Sequence, residues 1–333
     1  MKFRERFMRG ETDFEEIFSL TDKWNFSDET CTLREYLGLT AAEEDIWITE
    51  SDEALEDLME KEKRTKSIFL DLDGTLFTDD KQFSEGNKAA LNRALKAGHQ
   101  VIITTGRPLM SAVAQAKELG FTKKGCYVIA YNGGEIYDMY KKKSLYRKTI
   151  PLSVVRQIFD AAWERGLHCQ TYNDVEILAE HETDALKAYS SLTKVPYRIV
   201  DDVIAALKKE PLKMIVMDYN DQQKLYTYME ETAAIADGKL DRFFSCPEYL
   251  EHVAPEVSKG AAIAMLCEYT GIPMCNTIAA GDAENDISMI KAAHIGCAMK
   301  NAIPEVKDAA DYITENDNNH DGVAEILEKF VFK

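Results

Sequence analysis

The sequence predicts an α/β fold with three parts: a parallel-sheet core, an inserted α/β cap and a small helical extension. From Ser67 onwards, short apolar runs alternate with amphipathic helical segments, which is typical of a parallel sheet covered by helices. A separate α/β pattern lies between about Ile150 and Cys246, after which the first pattern resumes. We therefore expect an extension at 1–65, a core at 66–149 and 248–333, and a cap domain at 150–247.

The overall composition excludes several classes of protein. Of the 333 residues, 45% are hydrophobic and 29% charged, as in an ordinary globular protein. The net charge of -18 argues against nonspecific nucleic-acid binding, which needs a basic surface. No apolar run reaches the roughly 18 residues of a membrane helix and no signal peptide is evident, so we expect a cytoplasmic protein without membrane contact. Seven cysteines without a Cys-x-x-Cys motif predict free thiols rather than a disulfide framework.

Residues 1–65 differ in composition from the remainder of the chain. They contain 19 Asp and Glu against 9 Lys and Arg. Two capping-box patterns, beginning at Thr32 and Thr40, predict short helices, and a third helix is expected after Ser51. Two interpretations stay open: a solvated helical extension packed on the main body, or a module that contacts a protein partner or another copy of the chain.

The expected strands of the core end in small or polar residues. Four strong candidates, at 67–70, 101–104, 127–130 and 277–280, are joined by two weaker ones at 295–298 and 312–314. In open α/β sheets, functional sites form outside the carboxyl ends of the strands. Chemistry is therefore expected after Leu70, Thr104 and Ala280.

An acidic pair follows the first of these strands. Asp71 and Asp73 flank a single residue and precede Gly74, where the chain can turn sharply. On an extended strand this spacing directs both side chains to one face, and paired carboxylates imply a metal ion or a shared proton. An isolated Asp-x-Asp is more often a turn or a helix cap, so its meaning depends on partners elsewhere.

Such partners follow in order along the chain. Thr105-Gly106 offers a hydroxyl and a flexible backbone for phosphate oxygens, and Lys259 opens an amphipathic helix that can place an ammonium beside an anion. Asp282 and Asp286 have helical i, i+4 spacing, which directs them and Asn285 towards one hard cation. Each feature alone also fits a turn, a solvated lysine or an acidic helix start. Together they predict one phosphate site.

This combination resembles the haloacid dehalogenase-like (HAD) hydrolase superfamily, in particular its Cof-type (subfamily IIB) phosphatases, over about residues 66–330. The matching segments are Asp71-Leu72-Asp73-Gly74-Thr75-Leu76, Thr105-Gly106-Arg107-Pro108, Lys259-Gly260, Gly281-Asp282-x-x-Asn285-Asp286, Tyr131-Asn132-Gly133-Gly134, Asn301-Ala302 and Asp321-Gly322-Val323-Ala324. The resemblance implies a Rossmann-like core, a cap inserted between the second and third motifs, and a hydrolase acting on phosphate monoesters. It does not extend to residues 1–65.

The resemblance also implies roles for individual residues. Asp71 is expected to attack phosphorus and form an aspartyl phosphate, and Asp73 to transfer protons while its backbone carbonyl ligates Mg2+. The remaining expected positions are Asp71, Asp282 and Asp286 for Mg2+, and Leu72, Thr105, Gly106, Lys259 and Asn285 for phosphate. The expected substrate is a small phosphorylated metabolite: sugar phosphates by default, with phosphorylated flavin precursors and pyridoxal phosphate as alternatives. Tyr172 and Asn173, after an expected strand of the cap, are candidate contacts with this substrate.

Three other functions are compatible with parts of this pattern. A phosphomutase of the same superfamily would isomerise sugar phosphates instead of releasing inorganic phosphate. A regulatory phospho-binding protein would act through residues 1–65. A signalling receiver also combines acidic residues, Thr and Lys around Mg2+, but its acidic pair precedes the phosphorylated Asp, whereas Asp71 comes first here.

Overall fold

Two sheets form the framework of the computed structural model, which describes residues 1–332. The strands are β1 (Ser67–Leu70), β2 (Gln100–Thr104), β3 (Cys126–Ala130), β4 (Glu135–Asp138), β5 (Lys143–Arg147), β6 (His168–Tyr172), β7 (Ile177–Ala179), β8 (Tyr197–Ile199), β9 (Lys213–Met217), β10 (Asp241–Cys246), β11 (Tyr249–Val253), β12 (Thr277–Gly281), β13 (Ile295–Ala298) and β14 (Tyr312–Ile313).

The helices cover both sheets and build the N-terminal extension. They are α1 (Phe3–Met8), α2 (Glu16–Asn25), α3 (Leu33–Leu37), α4 (Ala41–Thr49), α5 (Asp52–Arg64), α6 (Glu85–Lys96), α7 (Leu109–Glu118), α8 (Leu152–Glu164), α9 (Asp184–Thr193), α10 (Val203–Ala206), α11 (Gln222–Glu231), α12 (Ala233–Ala236), α13 (Lys259–Thr270), α14 (Ile287–Ala292), α15 (Pro304–Ala309) and α16 (Gly322–Phe330).

The larger sheet has eight strands in the order β14-β13-β12-β1-β2-β3-β4-β5. The six strands from β14 to β3 are parallel, and β4 and β5 continue the sheet as an antiparallel hairpin. β1, β3 and β12 are buried along their whole length, which explains why they appear in the sequence as short apolar runs. All six predicted strands are confirmed. The carboxyl ends of β1, β2 and β12 meet at one edge of this sheet.

The smaller sheet has the order β10-β11-β9-β6-β7-β8 and encloses its own apolar cluster, which confirms an inserted α/β cap. β11 pairs antiparallel with β9, so Tyr249–Val253 belongs to this sheet rather than to a core resuming at residue 248. The predicted boundary missed this strand because β10 and β11 form a hairpin with no core element between them. The segments that leave and re-enter the core lie side by side, with Lys148 Nζ 3.0 Å from Glu256 Oε2.

The N-terminal extension packs its five helices around an apolar cluster that includes Phe3, Phe7 and Ile17. Both predicted capping boxes are present, at the starts of α3 and α4. α1 and α2 were not predicted, because neither has a side-chain cap at its N-terminus and α1 is only six residues long. Contact with a protein partner through 1–65 stays a prediction.

Several hydrogen bonds attach the extension to the core. The amide nitrogen of Asn276, just before β12, donates to the backbone carbonyls of Glu62 and Lys63 at 3.0 and 2.8 Å. Arg4 donates to Glu43 and Glu62 within the extension and to the carbonyl oxygen of Gly271, which follows α13, at 2.6 Å. The extension is therefore docked at the amino ends of the core strands, opposite the edge where β1 and β12 end.

Among residues 1–332, no helix combines the length and the apolar character that crossing a membrane requires. All seven cysteines are free thiols, as the sequence predicts.

Candidate active site

A buried lysine lies between two carboxylates at the carboxyl edge of the core sheet. Asp71 directly follows β1, and its Oδ1 accepts a hydrogen bond from Lys259 Nζ at 2.5 Å. The same ammonium donates to Asp286 Oδ1 at 2.6 Å. Lys259 and Asp286 have no exposed surface and Asp71 is only 6% exposed. This arrangement joins three residues that are up to 215 positions apart in the sequence, counted from 71 to 286.

Local backbone geometry brings Lys259 to this position. Lys259 is the first residue of α13, and the Ser258 side chain caps that helix by accepting from the Ala261 N–H at 3.1 Å. Gly133, with φ of +108°, lies so close that a Cβ there would be 2.3 Å from the Ser258 carbonyl oxygen. Only glycine permits both this φ and this approach. Gly133 therefore fixes where α13 starts.

A third carboxylate joins the group from the end of β12. Asp282 Oδ1 accepts from the Thr75 hydroxyl at 2.8 Å. Gly74, with φ of +81°, lies against it, and a Cβ at Gly74 would be 2.2 Å from Asp282 Oδ2. The Gly74-Thr75 turn after the acidic pair thus serves both to reverse the chain and to receive Asp282.

Asp286 is held by a tight turn, not by the regular helix that its spacing from Asp282 suggested. Its Oδ2 accepts from the backbone N–H groups of Asp282 and Ala283 at 2.9 and 3.0 Å. The chain from 284 to 286 forms a single narrow turn, and α14 begins only at Ile287. Asp282 precedes this turn, so the two carboxylates do not share one regular helix; instead, Asp286 caps the free N–H groups at the start of the helical segment that continues into α14.

Asp71, Asp282 and Asp286 form a group suited to a divalent cation. One carboxylate oxygen from each lies within 4.8 Å of the others. Burial and the charge of Asp286 raise the pKa of Asp282 to about 7, and burial together with the neighbouring carboxylates raises the pKa of Asp71 well above its usual range. Asp286 and Asp71 outweigh burial and raise the pKa of Lys259. One ammonium among three carboxylates leaves excess negative charge, and carboxylate oxygens are ligands for a hard cation.

Asp73 turns its side chain away from this group. Arg107 binds it through two hydrogen bonds of 2.7 Å, from Nε and Nη2, and Lys81 Nζ donates at 2.9 Å. Burial acts to raise the pKa of Asp73, but Arg107 and Lys81 outweigh it and hold this pKa below its ordinary value. The Asp73 side chain is 41% exposed, so it faces the cavity while these cations keep it ionised.

The predicted phosphate-binding residues surround the same edge. Thr105 follows β2 and is buried, and its hydroxyl accepts from the Arg107 N–H at 3.1 Å. Among residues 1–332, the backbone N–H groups of Leu72 and Gly106 donate to no protein acceptor. Asn285 Nδ2 donates to Asn132 Oδ1 at 3.0 Å, which explains why Tyr131-Asn132-Gly133-Gly134 lies here.

A cavity of about 410 Å³ separates this edge from the cap. Its cap side includes Tyr189 from α9, Lys213 from β9, and Tyr249 and Glu251 from β11. Lys213 is buried, pairs with Glu251 and donates to the Gly106 carbonyl oxygen at 3.0 Å. A cap lysine therefore contacts the loop after β2 directly.

Most of these cap contacts cannot be predicted from the sequence. Asn173 does not line the 410 Å³ cavity: its carboxamide oxygen accepts from the Val175 and Glu176 N–H groups beside a separate cavity of about 330 Å³. Tyr172 lines that separate cavity and reaches the first one only by donating to the Tyr189 hydroxyl at 2.8 Å. The sequence contains one indication of the role of Lys213, which is a charged residue at the start of an otherwise apolar strand. Arg107 belongs to the Thr105-Gly106-Arg107-Pro108 segment, but its contact with Asp73 is not predicted by that segment.

Three comparisons place this geometry among known proteins. The family described as haloacid dehalogenase-like hydrolase matches residues 68–327. A crystal structure of a haloacid dehalogenase-like hydrolase from Bacteroides thetaiotaomicron is 35% identical, with a TM-score of 0.75 over 80% of this chain and 99% of that one. The 5-amino-6-(5-phospho-D-ribitylamino)uracil phosphatase of Bacillus subtilis is 31% identical over 80% of this chain and 96% of its own.

A further relative has a different named substrate. The pyridoxal phosphate phosphatase of Escherichia coli is 28% identical over 79% of this chain and 97% of its own length. The family match, at 68–327, covers the core and the cap and leaves out the N-terminal extension. The chain belongs to the haloacid dehalogenase-like hydrolase family, with a Cof-type architecture, and is a phosphatase.

Proposed function

We propose that this phosphatase hydrolyses a small phosphate monoester with Mg2+ as its cofactor and with Asp71 as the nucleophile. The observation that carries the proposal is the contact of 2.5 Å between Lys259 Nζ and Asp71 Oδ1, beside the carboxylates of Asp282 and Asp286. A phosphate dianion can approach a carboxylate only if cations offset the charge of both groups. Lys259 supplies one cation, and the three carboxylates suit a second.

The reaction divides into two displacements at phosphorus. In the first, an Asp71 carboxylate oxygen bonds to phosphorus while the bond to the leaving alkoxide breaks, and the alkoxide takes up a proton. In the second, water attacks the aspartyl phosphate, loses a proton, and releases inorganic phosphate and the Asp71 carboxylate. Covalent catalysis of this kind replaces one difficult step by two easier ones.

The phosphate oxygens have donors available around Asp71. We assign the Lys259 ammonium, the Thr105 hydroxyl and the free N–H groups of Leu72 and Gly106 to the equatorial oxygens, with Asn285 as a further contact. Asp71, Asp282 and the Asp73 carbonyl are the proposed ligands of Mg2+, with Asp286 acting directly or through a bound water. Mg2+ bound there would neutralise charge on the transferring phosphoryl group.

Asp73 is the proposed group for proton transfer. Its ionised state, held by Arg107 and Lys81, is the state that accepts a proton from the attacking water. Donation to the leaving alkoxide requires the same carboxyl to carry a proton. The contacts from Arg107 and Lys81 must therefore loosen when a substrate occupies the cavity, since a carboxyl bound by two cations does not hold a proton well.

The leaving group is expected to be small. A cavity of about 410 Å³ accommodates a metabolite-sized molecule, and the cap covers it with Tyr189, Tyr249 and Lys213. The two relatives described above are named for different phosphate monoesters, one with a ribityl chain and one with a pyridine ring. A substrate panel should include both, together with hexose phosphates.

The test compares Asp71→Asn with Asp80→Asn, a matched change at an exposed aspartate nine positions away. With Mg2+ and the best substrate of the panel, Asp71→Asn should lose at least about 1,000-fold in kcat, because an amide is a poor nucleophile, while Asp80→Asn should keep full activity. EDTA should abolish wild-type turnover. Phosphate release and sugar-phosphate isomerisation are measured in parallel.

Retained turnover in purified Asp71→Asn would show that Asp71 is not the nucleophile. Isomerisation without release of inorganic phosphate would favour a phosphomutase instead.

A further inference from the structure

A second cavity lies at the opposite edge of the core sheet, between the N-terminal extension and the core. It has a volume of about 580 Å³. Arg9 and Lys63 line it from the extension, and Lys66, Asn276 and His294 line it from the core. The residues described around it include no Asp or Glu. The side of this cavity that the extension forms lies outside the family resemblance, because Arg9 and Lys63 precede residue 66.

The charge of this lining departs from that of the whole molecule. The chain has 58 acidic residues against 40 Lys and Arg, yet two lysines, one arginine and one histidine surround the cavity without a carboxylate in its wall. Concave surfaces lined by one sign of charge concentrate the field and attract small ions of the opposite sign. In a strongly acidic protein, a cavity lined by basic residues is a place where an anion can bind.

Lys66 is the least compensated of these cations. Its Nζ donates to the neutral Asn276 Oδ1 at 2.9 Å, and among residues 1–332 it forms no ion pair. The side chain is half-buried, and burial lowers its pKa. A charged group removed from water without a counter-ion is unfavourable, so an anion next to Lys66 would stabilise it.

Arg9 and Lys63 already have partners, but these are exchangeable. Arg9 pairs with Glu5 at 3.0 Å and Lys63 with Glu60 at 3.1 Å, and both pairs are at least partly exposed. Exposed ion pairs of this kind contribute about 0–1 kcal/mol. A multivalent anion entering the cavity can compete for both cations at little cost.

We propose that this cavity binds a small phosphate-bearing anion. Arg9 and the nearby pair Lys63 and Lys66 bring three cations to it from two parts of the chain, and its volume falls in the range of small-molecule sites, roughly 300–1,000 Å³. Lysine and arginine together suit the several charges and oxygens of a phosphoryl group.

The cavity is separate from the candidate active site. Lys66 directly precedes β1 and Asp71 directly follows it, so five residue steps separate them, about 17 Å along an extended strand. Asn276 and Asp282 stand in the same relation at the two ends of β12.

The test measures binding of inorganic pyrophosphate to the full chain by isothermal titration calorimetry in EDTA. Without metal, the carboxylates of Asp71, Asp282 and Asp286 repel the probe from the active site. The variant Lys63→Gln/Lys66→Gln should bind at least about tenfold more weakly than the wild type, since two of the charges are gone. Lys61→Gln, on an exposed turn of α5 outside the cavity, should bind as the wild type does.

Three results would overturn the proposal: no binding by the wild type at millimolar pyrophosphate, equal affinity of the double variant, or an equal loss in Lys61→Gln. Phosphatase activity with Mg2+ serves as the check that the variants fold. Should the double variant fail this check, the exposed Arg9→Gln decides: weaker binding by a few-fold supports the proposal, and unchanged binding refutes it.

Discussion

Two clusters in this molecule place one cation between two carboxylates, and they do so at opposite ends of α13. At its start, Lys259 lies between Asp71 and Asp286. At its end, Arg4 reaches the Gly271 carbonyl while it binds Glu43 and Glu62. The formal charge of each set is the same. Their surroundings differ, and so do the properties that follow.

The difference lies in how far the cation is satisfied. The guanidinium of Arg4 uses its planar donors on two carboxylates and one carbonyl at the negative end of α13. Lys259 is a point charge beside a third carboxylate, Asp282, with a cavity in front of it. The Lys259 cluster keeps excess negative charge beside an open cavity, which suits a ligand. The Arg4 cluster has its carboxylates bound by the guanidinium, which makes it a structural contact.

The largest expected effect comes from removing the cation of the first cluster. Lys259→Gln leaves the buried Asp71 and Asp286 and the partly buried Asp282 without an ammonium and removes a contact to the phosphoryl oxygens. We expect kcat to fall by about 100- to 1,000-fold, and the metal-free protein to lose about 3 kcal/mol of unfolding free energy. Steady-state kinetics and urea unfolding in EDTA measure the two quantities.

Lys291→Gln, at an exposed position of α14, is the matched control and should change neither quantity. Activity within a factor of two of the wild type in Lys259→Gln would refute the role assigned to this ammonium.

An intermediate effect is expected from the second cluster. Arg4→Ala leaves the fully buried Glu43 and the mostly buried Glu62 without a counter-charge and should destabilise the docked extension by about 3 kcal/mol. Hydrogen exchange of α1–α5 reports this loss locally. Turnover should be unchanged, because the extension docks opposite the active-site edge.

Arg34→Ala removes a partly exposed pair with Glu44 and should cost less than about 1 kcal/mol. If Arg4→Ala exchanged no faster than Arg34→Ala, the Arg4 cluster would not be the anchor of the extension.

The smallest effect concerns pH. Burial and the neighbouring charge of Glu43 raise the pKa of Glu62 to about 8, against an ordinary value of 4.5. The folded state therefore binds the proton more tightly than the unfolded state. The stabilisation that protonation of Glu62 contributes is fully present below pH 4.5 and is lost as pH rises through about 8. Glu62→Gln keeps an acceptor for Arg4 but cannot ionise.

Between pH 6 and pH 8 the wild type should lose on the order of 2 kcal/mol more unfolding free energy than Glu62→Gln. Urea unfolding at the two pH values gives this difference. Parallel pH dependence in both proteins would mean that Glu62 is ionised throughout this range.

The sequence predicted the parts of this molecule whose causes are local. The strands ending before Asp71 and Asp282 are fully buried, and the strand ending before Thr105 is buried from Val101 onwards, so each contains an apolar run that is visible in the sequence. The capping boxes at Thr32 and Thr40 involve neighbours three residues apart. Parallel strands also end at one edge of the sheet, so motifs that are distant in the sequence are predicted to form one site.

The remaining contacts depend on packing between distant segments. Lys213 reaches the Gly106 carbonyl only because the cap docks over the core, and Arg107 selects Asp73 only after the loop following β2 is folded. The turn at Asp286 depends on its carboxylate capping the free N–H groups of Asp282 and Ala283 at the start of a helical segment. Neither residue spacing nor periodicity contains this information.

The neighbouring crossing points of the cap, at Lys148 and Glu256, have a consequence for how this chain can be rearranged. Because both ends of the inserted segment meet within the reach of one ion pair, excision of the whole segment leaves a gap that a few linking residues can close. The cap segment can therefore be exchanged as a unit for that of a relative. We expect the substrate preference to change with the exchanged cap, while the carboxylates of the core remain the same.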